Sequence, residues 1–68
     1  MELVSLDLAA HRLRDAQEAL DAARADVELE AVAALRKGGA VDAICQRSGL
    51  NPHDLVRLEK LTGPIPLN

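Results

Sequence analysis

The sequence contains no Phe, Tyr or Trp. Any core must therefore be built from Leu, Val, Ile and Ala, side chains that fill interfaces between helices well. The absence of aromatics also speaks against binding single-stranded nucleic acid, where bases stack on aromatic rings. It speaks equally against most small-molecule pockets, whose walls are rich in such rings. Cys45 is the only cysteine, so no intrachain disulfide exists, and His11 and His53 lie far apart without metal-ligand spacing. No apolar run approaches the roughly 18 residues that cross a bilayer, so no membrane association is expected. The opening MELVSLDLAAH lacks the basic start and apolar run of a signal peptide. A cytoplasmic location with Cys45 reduced is the simplest expectation. There is no nucleophile–base arrangement, no glycine-rich phosphate loop and no metal cluster. The chain is accordingly not expected to be an enzyme or to carry a cofactor. Cys45, on the apolar face of a short helix, reads as a small core residue.

A chain of 68 residues forms one small domain with little buried surface. With disulfides and metals set aside, oligomerisation is the support that remains. The net charge of −3 is divided unevenly along the chain. Residues 1–35 carry three basic and eight acidic side chains, whereas residues 36–68 carry five basic and three acidic ones.

Between Ser5 and Lys37 there is neither Gly nor Pro. Ala, Leu, Glu and Arg dominate this stretch, all good helix formers. A single helix over about residues 5–37 follows, capped by Ser5, with Asp7 in its first turn, Arg36 and Lys37 at its end, and Gly38-Gly39 as its stop. Leu6, Leu13, Leu20 and Val27 recur every seven residues, and Ala9, Ala16 and Ala23 follow the leucines by three. This is a coiled-coil seam of alternating large and small side chains. Its seven positions are the expected dimer interface of a homodimer, because residues 40–68 are too few to cover so long a stripe. Asp7–His11, Arg14–Glu18 and Arg24–Glu28 are expected i,i+4 pairs on the outer faces. After Val27 the pattern widens, and Leu29, Val32, Ala33 and Leu35 open a second apolar face for the C-terminal helices.

A short helix is expected over residues 40–48, with Val41, Ile44 and Cys45 inward. Gly49 then takes the turn, where a left-handed residue costs least. Asn51 serves as N-cap, Pro52 as first helical residue, and Asp54 as first-turn acid for a last helix over 52–61 with Leu55, Leu58 and Leu61 inward. Gly63-Pro64 ends it, leaving the extended tail 63–68, whose Ile65 and Leu67 are candidates to tuck against the body. The fold class is all-α: a dimerisation helix over 1–28, a three-helix unit over 29–62 that shares the long helix, and the tail.

The segment VDAICQRSGLNPHDLVRLEK, residues 41–60, resembles the helix-turn-helix superfamily of DNA-binding domains. Small Cys45 lies four before Gly49, Leu50 follows it, and Leu55 and Leu58 lie six and nine after it. The resemblance covers residues 29–61 and implies binding of duplex DNA, most simply by a small transcriptional regulator. It implies that the outward side of the second helix meets bases and phosphates. Carried over by position, Arg57 is the candidate guanine reader. Asn51, His53 and Val56 lie on the same outward side, Arg47 and Lys60 are phosphate contacts, and Arg36 and Lys37 reach the backbone from the long helix. Two such helices on a dimer would enter successive major grooves. The rival reading is a protein-interaction adaptor or inhibitor that works through the acidic helical arm without DNA.

Overall fold

The computed structural model describes residues 2–66, and among these the only regular elements are three helices. They are α1 (Val4–Arg36), α2 (Val41–Ser48) and α3 (Pro52–Leu61). Each boundary lies within a residue of the expected one. Leu67 falls outside the described residues, while Ile65 is half-buried against the body.

The 33 residues of α1 run without interruption because nothing in them breaks a helix. The expected cap does not form. Ser5 lies inside the helix, Leu3 holds the N-cap position, and the Glu2 carboxylate accepts from the Val4 N–H at 2.9 Å. A carboxylate placed there satisfies a free N–H and also complements the positive end of the helix dipole. At the other end Gly38, at φ 92°, turns the chain, and the Gly39 N–H bonds the Ala34 carbonyl at 3.0 Å. A Cβ on Gly39 would meet the Ala34 carbonyl oxygen at 2.9 Å and Ile44 Cδ1 at 3.2 Å. The close approach of α2 to α1 thus depends on glycine at position 39.

The molecule is elongated, with extents of 58 × 26 × 18 Å and a radius of gyration of 17.2 Å. A compact chain of this length would have a radius near 11 Å. The excess is α1, whose first six turns project beyond the region where α2 and α3 pack on its last two or three. There Glu28, Ala31, Val32 and Leu35 form the inward stripe at helical spacing, with Ala31 and Val32 fully buried and the other two half-buried. Leu29, expected on that stripe, is 43 % exposed and lies outside it. From α3 only Leu55 is fully buried.

Leu58 is half-buried, but Leu61 is 76 % exposed and corrects the expected inner face. A helix turns about 100° per residue, so a strict three-residue spacing drifts by about 60° at each step. Thr62, seven after Leu55, is half-buried instead, and its hydroxyl donates to the Leu58 carbonyl at 2.6 Å. The outer-face pairs on α1 also differ from expectation. His11 Nε2 lies 3.4 Å from Asp15 rather than beside Asp7, and no ion pair joins Arg14 to Glu18 or Arg24 to Glu28 among the described residues. Exposed pairs of this kind contribute little, and solvation competes with them.

Leu55→Ala is expected to lower stability by about 2–5 kcal/mol, and Leu61→Ala to change it by less than about 0.5 kcal/mol. Urea titrations followed by far-ultraviolet circular dichroism check both.

Candidate nucleic-acid interface

The α2–α3 junction is built from local chemistry. Gly49 caps α2 at φ 79°, and its N–H reaches the Cys45 carbonyl at 3.0 Å. Ser48 Oγ accepts from the Leu50 N–H at 3.2 Å, which fixes the turn, and Leu50 is half-buried beneath it. Asn51 then caps α3 from an extended conformation, its Oδ1 accepting from the Asp54 N–H at 2.7 Å. Pro52 opens the helix at the position where a missing N–H costs nothing.

Opposite buried Leu55, the residues His53, Val56, Arg57 and Lys60 are all exposed. Their spacing of i, i+3, i+4 and i+7 places them along one continuous stripe of α3. Arg47 is exposed in the last turn of α2, and Lys37 is exposed at the C-cap of α1. Lys37, Arg47 and Lys60 take part in no ion pair among the described residues.

Two expected contact residues are engaged within the fold. Arg36 turns its guanidinium onto the C-terminus of α3: Nη1 donates to the Gly63 carbonyl at 2.8 Å, Nη2 to the Glu59 and Thr62 carbonyls, and Nε to the Glu59 carboxylate at 3.3 Å. A cation here answers the negative end of the α3 dipole and takes up carbonyls the helix leaves free. Its donors are thus used in joining α1 to α3 instead of facing outward. Asn51 is committed as well. Besides capping, its Nδ2 donates to Asp54 Oδ2 at 3.1 Å.

Asp54 emerges as the organiser of the first turn, a role that its place three residues after the cap made legible. It holds Asn51 on one side and Arg57 Nη2 on the other, at 3.3 Å. The Arg57 side chain is 64 % exposed, so this pair is weak and leaves the guanidinium free to exchange partners.

A second feature went unread in the sequence. An apolar groove of about 490 Å³ lies between α1 and α2, walled by Val27, Ala31 and Ala34 on one side and Ala40, Ala43 and Ile44 on the other. Asp26, Glu30 and Arg47 also line it. The seven-residue spacing that ends at Val27 reaches Ala34 in one further step, and that was the signal for it. No group of three His, Cys, Asp or Glu side chains among the described residues could hold a metal ion, and no helix is long and apolar enough to cross a membrane. Cys45 is a half-buried free thiol. No protein-family model, no curated protein and no solved structure matches the chain.

Asn51→Ala is expected to cost about 1 kcal/mol through the lost cap. Arg36→Gln removes charge-assisted hydrogen bonds, worth about 1.5–3 kcal/mol each when well formed, and is expected to lower stability by more than Asn51→Ala. Thermal melts of both variants beside the parent test this order.

Proposed function

We propose that the three-helix unit binds duplex DNA through the outward stripe of α3, in a small homodimeric regulator of transcription joined through the α1 seam. The observation that carries the reading is the alignment of His53, Val56, Arg57 and Lys60 on one exposed face of a helix entered through a left-handed glycine turn. Arg57 is the side chain fitted to read guanine, by forking onto two acceptors in the major groove. Lys60, Arg47 and Lys37 supply phosphate contacts. The positions at the ends of the helices, Arg36 and Asn51, hold the reading face in place instead of touching DNA. Few cations are available, so the affinity of one unit is modest and falls with salt in proportion to the phosphates neutralised.

A second reading is favoured by the uncovered seam. Leu6, Leu13 and Leu20 are each at least 55 % exposed, and eight acidic side chains share residues 1–35 with them. A protein-interaction adaptor working through α1 would use that surface without DNA.

Fluorescence anisotropy of labelled duplex DNA, titrated at several salt concentrations, separates the two. DNA binding predicts affinity that falls steeply with salt. Arg57→Ala is then expected to weaken specific binding by about 1–3 kcal/mol, and Lys60→Ala to lower the salt slope by about one. No binding at tens of micromolar in low salt overturns the DNA reading in favour of the adaptor. Leu13→Asp and Leu20→Asp break the homodimer under either.

A further inference from the structure

We infer that two copies pair antiparallel along α1, and that the N-terminal residues of each fill the α1–α2 groove of the other. The inference rests on the homodimer reading above and adds its direction and register; it is independent of whether α3 binds DNA.

The starting observation is that the seam and the groove are one surface. Leu6, Leu13, Leu20 and Val27 are 63, 60, 55 and 42 % exposed. Val27 is both the last of that series and the first apolar α1 residue of the groove wall, and Ala34, one heptad on, continues the wall. An occupant of the seam therefore runs on into the groove.

The identity of the occupant follows from size and charge. Each large seam residue needs a small one opposite, and the seam itself supplies both. Run antiparallel, Leu13 meets the partner's Ala23, Leu20 meets the partner's Ala16, and Val27 meets the partner's Ala9. This register places Arg12, on one flank of the seam, beside the partner's Asp26, and by symmetry Asp26 beside the partner's Arg12. The same patch serves both chains, as a two-fold interface requires. Sliding the chains by one heptad either way sets Arg12 against Ala33 or Ala19 and loses both ion pairs. Parallel pairing fares worse: large side chains meet large ones, Ala meets Ala, Glu30 meets the partner's Glu30 within the seam, and no opposite charges face each other.

The groove completes the register. Leu6 of the partner arrives beside Glu30, and the partner's Leu3 beside Ala31, both in the groove wall. Leu3 is itself 50 % exposed in the single chain. Glu30, an awkward acid inside a seam, then lies at the N-terminal turn of the partner's helix, where negative charge is favoured. The overlap ends where Val32 is already buried by the body, so the arm is used along its whole free length. From the helix rise, the two three-helix units lie about 45 Å apart at opposite ends. That exceeds the roughly 34 Å between successive major grooves on one face of a duplex, so each unit addresses its own site.

The full chain with Cys45→Ala is the background for the test. Sedimentation equilibrium comes first, and a two-chain mass is expected. Gln17→Cys then places a thiol facing its own symmetry mate and is expected to form an interchain disulfide under mild oxidation. Ala9→Cys is expected not to, since the two thiols lie about 27 Å apart by the helix rise. As a second measurement with Cys45 intact, Arg12→Asp and Asp26→Arg should each weaken dimerisation by about 3- to 10-fold, and the double variant should recover most of the loss. Cross-linking at Ala9→Cys, its absence at Gln17→Cys, or failure of the double variant to recover overturns the antiparallel register while the homodimer stands. A single-chain mass at every concentration overturns the homodimer itself, and a four-chain mass overturns the pairwise seam.

Discussion

The structure depends on a shortage of buried surface. Ala31, Val32 and Leu55 are the only fully buried side chains among the described residues. Three aliphatic side chains cannot offset the conformational entropy of ordering three helices. Every other device in the body compensates locally. Gly39 lets α2 approach α1 at van der Waals distance, Asn51 and Glu2 answer free N–H groups at helix starts, and Arg36 gathers the carbonyls that α3 leaves unpaired. The exposed leucines of α1 are the same shortage seen from outside: the largest apolar reserve of the chain lies where one copy cannot bury it.

Arg36 shows how such a small unit holds together. Its position at the end of α1 allows one guanidinium to span the C-termini of two helices. Three carbonyls and one carboxylate lie 23 to 27 residues further along the chain. The contact makes the last turn of α1 and the last turn of α3 parts of one body. It also explains why α3 can end at Leu61 with an apolar side chain in solvent: the packing at that end is polar and runs through the backbone rather than through Leu61.

Local chemistry was legible in the sequence and long-range chemistry was not. Gly38, Gly49, Asn51 and Pro52 act where their intrinsic preferences place them, because capping and left-handed turns need only neighbouring residues. The seven-residue repeat marked which face of α1 is apolar, and that face is the exposed one. Ser5 does not cap because the helix already begins at Val4, whose N–H is taken up by the Glu2 carboxylate, and the Asp7 N–H is bonded to the Leu3 carbonyl. Leu61 lies off the inner face because a three-residue spacing carried to a second step has drifted by about 120° from Leu55. Arg36 was expected to reach the DNA backbone, and nothing near it in the chain marks the carbonyls at the end of α3 that its guanidinium holds across the fold. For the candidate interface, the stripe of His53, Val56, Arg57 and Lys60 and the capping role of Asn51 could be read from spacing, whereas the engagement of Arg36 could not.

One consequence concerns the unbroken course of α1. No Gly or Pro separates the seam from the turns on which α2 and α3 pack, so the two share a single rod without a joint. Inserting one residue in the middle of that rod would rotate the body about 100° around the axis relative to the seam, and would shift it by about 1.5 Å. Only additions or losses near a whole number of turns, such as about seven or eleven residues, preserve the facing of the two ends. The arm's length is in this sense quantised: it can lengthen or shorten by near-whole numbers of turns, and intermediate lengths would turn α3 away from whatever it faces.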